Sequence, residues 1–147
     1  MTSDRLLQSY GVASELMNSE NLSEFAKRYA KAWCSHDPAN VASFFAENGL
    51  LTVNNDAPAV GRAAIAAIAR GFMDDFLDMT VTFDKLEPRA DRIAFHWTLT
   101  GTYAGTGNHV RISGYELWKI DNAGLIAESS GHFDAAEYER QRNGASF

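Results

Sequence analysis

Cysteine appears once in these 147 residues, proline three times, and the four histidines stand far apart. The solitary Cys34 excludes an internal disulfide and fits a reducing compartment, so a cytoplasmic location is expected. Zinc and iron centres draw several ligands from defined offsets, a pattern these histidines do not supply, and no metal site is expected. Basic residues number 13 against 19 acidic ones and are scattered, so the net charge of −6 offers no counterion-displacing footprint and no nucleic-acid partner is expected. Long apolar runs are also missing. None approaches the ~20 residues that span a bilayer, so no membrane partner is expected. Met1 to Tyr10, with Asp4 and Arg5, lacks the basic-then-apolar order of a secretory signal. The glycines at Gly61 and at Gly101, Gly105 and Gly107 come without a Walker lysine or a strand-to-helix setting, which argues against a nucleotide-phosphate cradle.

What is present is an apolar share of 46% with 12% aromatics, enough for one core in a chain of single-domain length. Residues 1–20 show weak helical spacing through Leu6, Leu7, Tyr10, Leu16 and Met17 and read as an N-terminal arm; residues 21–147 read as a single domain. A helix is expected from Asn21, with Glu24 completing a capping box and Leu22, Phe25, Ala26, Tyr29, Ala32 and Trp33 on its apolar face. Asp37-Pro38 opens a short second helix through Val41, Phe44 and Phe45, which Asn48-Gly49 ends. A short strand at Leu50–Val53, a polar turn at 54–58 and an amphipathic helix from Arg62 to Phe76 follow. Strands are then expected near Met79–Leu86, Arg92–Tyr103, His109–Ile120 and Leu125–Phe133, with turns at Glu87-Pro88 and at 121–124. Asp134 is placed to cap a closing helix over 135–142. The fold class is α+β, a curved mixed or antiparallel sheet packed on three N-terminal helices, with a pocket between the layers.

Taken in order, Phe25–Trp33 leading into His36-Asp37, Phe44–Gly49, Gly61–Ile65, Trp97–Thr102, Gly114–Ile120 and Gly124–Glu128 resemble the nuclear transport factor 2-like superfamily. The style is that of SnoaL-like polyketide cyclases and ketosteroid isomerase, over roughly residues 21–134. The resemblance implies a cone-shaped sheet, the cystatin-like roll, a homodimer, and a pocket for a small apolar molecule. Position by position, it puts the isomerase tyrosine on Tyr29 and the isomerase oxyanion acid on Glu116. The isomerase base falls on Val53, where no carboxylate stands, with Asp56 as a possible substitute. The cyclase acid/base aspartate falls on Gly131, with His132 one residue along and facing the other way on a strand. The implied activity is proton transfer on an apolar carbonyl compound (isomerisation, dehydration or aldol-type cyclisation), with an enolate held by Tyr29 and protonated Glu116 and no cofactor. The missing base and Gly131 support the other reading, a non-catalytic ligand-binding or assembly module.

On their own chemistry, Tyr29 sits on an apolar helix face and Glu116 shares a strand face with Val110, Ile112, Gly114 and Trp118. Such a face desolvates a carboxylate and raises its pKa, which makes a proton donor or a poised base. The plainer alternatives pair Glu116 with Arg111 or Arg62, or send it to a dimer interface. His96 and His132 complete the candidate catalytic set, each weighed against ordinary packing or a strand-end role. Trp33, Val53, Phe72, Trp97 and Trp118 are the expected substrate-binding walls, with Phe76 and Tyr103 also available. Ser129-Ser130 lacks a Gly-x-Ser-x-Gly elbow and reads as small residues that leave room.

Overall fold

The computed structural model describes residues 19–144, so the arm expected over residues 1–20 lies almost wholly outside the described residues. Helix α1, Ser19–Cys34, begins two residues before the expected Asn21. It buries Leu22, Phe25, Ala26, Tyr29 and Trp33 while Lys27, Arg28 and Lys31 face out, the spacing of a helix that covers a sheet with one stripe. Asp37 caps α2, Pro38–Ala42, by accepting from the Ala39 N–H. This helix is shorter than its sequence pattern suggests, because Phe45 opens strand β1, Phe45–Val53. The cause is tertiary: Phe45 pairs in parallel with Ile126, whose strand arrives from the far end of the chain. Asn48-Gly49, expected to end a helix, instead lies where the β1 register shifts. A Cβ on Gly49 would come within 2.9 Å of the Ala46 carbonyl oxygen, a close approach that glycine alone tolerates.

Strand β2, Ala59–Val60, pairs with β1, and α3, Arg62–Asp75, drives Ile65, Ala69 and Met73 into the core. Four long strands follow: β3, Thr80–Arg89; β4, Arg92–Thr102; β5, His109–Ile120; and β6, Ile126–Phe133. Helix α4, Ala135–Asn143, closes the described chain, with Asp134 capping it at the Glu137 N–H. The turn expected at Glu87-Pro88 lies inside β3, and the chain reverses at Ala90-Asp91 instead. Proline is tolerated there because β3 is an edge strand.

The sheet runs β2-β1-β6-β5-β4-β3, antiparallel except for β1 against β6. Register sorts its two faces. Phe95 and Trp97 of β4, Gly114, Glu116 and Trp118 of β5, and Ser129, Gly131 and Phe133 of β6 share the inner face. Tyr29 from α1 meets that face edge-on, with ring centroids 5.4 Å from Phe95 and 5.3 Å from Trp118. The outer face carries the alternate residues, among them His96, Tyr115 and His132, which are paired neighbours across β4, β5 and β6. Among the described residues no helix is long and apolar enough to cross a membrane.

Candidate functional site

Glu116 stands in the middle of β5, paired with Phe95 on one side and Gly131 on the other, and is 7% exposed. Three donors converge on its Oε1: Ser129 Oγ at 2.7 Å, Tyr29 Oη at 2.9 Å and Trp118 Nε1 at 3.0 Å. Each is placed by a different element. Trp118 lies two residues along the same strand face, Ser129 is the register partner of Trp118 on β6, and Tyr29 comes from the buried stripe of α1. Oε1 is therefore saturated, while Oε2 shares only a longer 3.2 Å contact with the Tyr29 hydroxyl and keeps a lone pair for another partner. Burial pushes the Glu116 carboxyl above its ordinary range, and the hydrogen bonds from Ser129, Trp118 and Tyr29 pull against that rise. Burial first, then the neighbouring Glu116 charge, holds the Tyr29 phenol well above its usual value, so it remains a donor at neutral pH.

Beside Glu116 lies a cavity of about 60 Å³. At the ~10–15 Å³ that a water-sized group requires, it takes roughly four to six non-hydrogen atoms. Six aromatic side chains line it, Trp33, Phe72, Phe95, Trp97, Phe133 and Tyr138, and aliphatic groups including Val53 fill most of the rest. Among the described residues Glu116 is the one charged side chain on the wall. Gly131 keeps the space beside it open, since a Cβ there would sit 3.8 Å from Glu116 Cγ. Gly114 lets a wall form: the Trp97 ring comes within 2.7 Å of where its Cβ would be. The Tyr138 hydroxyl is buried without a hydrogen-bond partner among the described residues, and burial pushes it up to about 12. It lies in electrostatic reach of Arg142, Asp75 and Tyr103, none of them on the wall, so it marks the cavity's α4 end.

The expected site residues divide cleanly. Trp33, Val53, Phe72, Trp97 and Glu116 come together at the cavity, with Tyr29 behind Glu116 rather than on the wall. Trp118 is corrected from wall to support: it is fully buried, stacked on Phe95 at 4.8 Å, with its indole N–H committed to Glu116. His96 and His132 are corrected as well. Strand alternation turns both to the outer face, where His96 Nε2 lies 3.0 Å from Glu87 Oε1 and His132 Nε2 lies 2.9 Å from Ser130 Oγ. Asp56 is exposed in the β1–β2 turn, Arg111 is exposed, and Arg62 donates to the Phe45 carbonyl, so none of the three partners Glu116. Phe76 and Tyr103 pack against each other away from the wall. Sequence reasoning missed Ser129 as a donor and Phe95, Phe133 and Tyr138 as walls. For Tyr138 a signal existed, a lone ring in the otherwise polar stretch Glu137–Asn143. Among the described residues no cluster of three or more His, Cys, Asp or Glu side chains is placed to hold a metal ion.

A mixed six-stranded sheet whose helix-covered face holds a pocket over one buried carboxylate is an α+β arrangement of the nuclear transport factor 2-like class of fold. Within that class residues 26–129, well over half of the chain, match the SnoaL-like domain model, and the protein belongs to that family. A hypothetical protein with a ketosteroid isomerase-like fold from Catenulispora acidiphila, solved in complex with trimethylamine, is similar at 17% identity and a TM-score of 0.73, over 82% of this chain and 92% of that one. The epoxide hydrolase/cyclase-like enzyme SalBIII, of pyran ring formation in the polyether salinomycin, matches at 15% identity and a TM-score of 0.71, over 82% and 96%. A protein from Jannaschia sp. CCS1 assigned as a SnoaL-like polyketide cyclase matches at 13% and 0.64, over 80% and 91%. At these identities the neighbours establish the fold. No curated protein matches the chain in sequence.

Proposed function

We propose that this protein binds a small molecule in the aromatic cavity and that Glu116 is the group that engages it. The donor inventory at Glu116 carries this reading. Stabilising an enolate in the isomerase manner needs donors beside the acid that aim at the ligand oxygen. Tyr29, Trp118 and Ser129 spend theirs on Oε1, and the ionisable groups considered as bases, Asp56, His96 and His132, stand away from the wall. A two-group acid–base cycle therefore lacks its second member. What is left is recognition: mostly apolar walls with one charged anchor, the usual make-up of a ligand site. Ligands of the size this cavity takes are within the range of the fold, since the Catenulispora acidiphila protein was solved with trimethylamine.

A catalytic reading rests on one observation, the free lone pair of Oε2. A single carboxylate taking a proton from one carbon of an apolar carbonyl compound and returning it to another would perform an isomerisation without a second group. Glu116→Gln separates anchor from bystander, because it keeps the size and removes the charge. In a fragment screen followed by Trp33 and Trp97 fluorescence, the variant is expected to lose at least tenfold in affinity for wild-type hits while keeping its far-ultraviolet dichroism. Hits bound equally well by both proteins would remove Glu116 from the function.

A further inference from the structure

We infer that the ligand is a small organic cation, a tertiary alkylammonium whose single N–H meets Glu116 and whose alkyl groups meet the aromatic wall. The inference rests on the small-molecule reading above and adds the chemical class. Among the described residues Glu116 has no ionic partner: every salt bridge joins other groups, and no Lys, Arg or His stands on the cavity wall. Buried carboxylates are ordinarily paired, so an unpaired one facing a cavity calls for its counterion from outside. Three donors on one oxygen favour the ionised acid against the burial that opposes it, and a cation at Oε2 adds to the same side.

The walls favour the same class. Six aromatic rings surround the space, and ring faces attract alkylated ammonium groups through their quadrupoles. An anion would meet Glu116 as a like charge, and a pure hydrocarbon would leave Oε2 unanswered. The count of donors then narrows the cation. A primary ammonium brings three N–H groups to a wall whose open acceptors are Glu116 Oε2 and the Tyr138 hydroxyl at the α4 end, leaving at least one N–H desolvated without a partner. A tertiary ammonium brings one. A quaternary ammonium keeps the charge and the ring contacts but forfeits the hydrogen bond. The cavity of about 60 Å³ has room for a trimethyl-substituted nitrogen.

The test compares trimethylammonium with probes of matched size by calorimetry and tryptophan fluorescence on the wild-type protein. Methylammonium, tetramethylammonium, tert-butanol as the neutral isostere and acetone as a neutral acceptor complete the set. Trimethylammonium is expected to bind at least tenfold more tightly than tert-butanol or acetone, with tetramethylammonium between and methylammonium weaker. Glu116→Gln should cut the cation's affinity at least tenfold and leave the neutral probes within about twofold. Affinity for tetramethylammonium, whose charge is permanent, should fall as pH is lowered through the Glu116 titration in wild type and stay flat in the variant. The other titratable groups packed against Glu116 or on the wall, Tyr29 and Tyr138, titrate far above that range. Acetone or tert-butanol binding as tightly as the cation, above all with acetone lost in Tyr138→Phe, overturns the cation and leaves the small-molecule site standing. No binding by any probe, with Gly131→Ala indistinguishable from wild type, overturns both. The isostere comparison needs no variant, so it decides the matter even where Glu116→Gln folds poorly.

Discussion

Oε1 of Glu116 takes three hydrogen bonds, and each can be removed singly. Tyr29→Phe deletes the donor at 2.9 Å, and a hydrogen bond to a charged group contributes about 1.5–3 kcal/mol, so urea unfolding should show a loss of that order. The same change removes one of the contacts that pull the Glu116 carboxyl down, so its titration should move further up. Gly131→Ala is the converse experiment. A Cβ there would meet Thr52 O at 3.5 Å and Glu116 Cγ at 3.8 Å, ordinary contacts, so the variant should fold with wild-type stability within about 1 kcal/mol and bind ligands more weakly because a methyl now occupies the site. Tyr29 and Glu116 were legible in the sequence because the family resemblance falls on both, and Glu116 also interrupts an apolar strand face with a carboxylate. Ser129 was not, because nothing local says that it will lie opposite Trp118 across two strands. His96 and His132 mislead for a related reason: alternation is plain along the chain, but which parity faces inward is decided by the helices that cover one side.

At the level of elements, two positions carry backbone or packing constraints that side-chain patterns conceal. The His132 carbonyl oxygen lies nearest to where a Gly114 Cβ would be, with the Trp97 ring at 2.7 Å and Phe133 Cβ at 3.0 Å, so Gly114→Ala must move the β6 backbone as well as a cavity wall. Overpacking of this kind costs about 1–3 kcal/mol, readable as a lowered denaturation midpoint with an unchanged slope. Ala90 turns the β3–β4 hairpin at φ 55°, a conformation glycine adopts freely. Ala90→Gly should therefore gain up to about 1 kcal/mol in the same measurement. Most elements were readable from periodicity and caps, including the Asp37 and Asp134 caps and the β5 boundaries. The parts that were not readable depend on distant partners. Phe44-Phe45 fits the end of a helix or the start of a strand equally well until β6 supplies a parallel neighbour, and Pro88 reads as a turn until β3 is known to be an edge.

For the molecule as a whole, Glu116 sets a pH dependence of definite sign. Its folded pKa lies above the ordinary 4.5, so the stability it contributes is fully present below about pH 4.5 and is lost as pH rises through the folded value. Glu137, half-buried on the surface of α4 and held at about 2 chiefly by its hydrogen bonds to Arg140 and Gln141, acts oppositely: its contribution is present above 4.5 and fades on acidification, and solvent screening keeps it small. Unfolding wild type and Glu116→Gln in parallel from pH 4 to 8 should show the variant gaining on wild type as pH rises; a constant difference would mean that Glu116 is not desolvated. We also propose a homodimer formed through the outer face of the sheet, the side that the helices leave uncovered. Sedimentation at micromolar concentration should return twice the chain mass, and a monomer would reject it.

The Tyr29–Glu116 hydrogen bond joins residues 87 positions apart, and the hollow beside it borrows its sides from α1, α3, α4 and five of the six strands. No fragment of the chain owns that hollow; it comes into being only at full assembly. An occupant must therefore leave before any of those segments can detach, and saturation at a hundredfold over Kd would tighten the entire molecule by about 2.7 kcal/mol. Slowed amide exchange along the whole of β3 and α4, beyond the residues that touch the occupant, would be the visible trace of that lock.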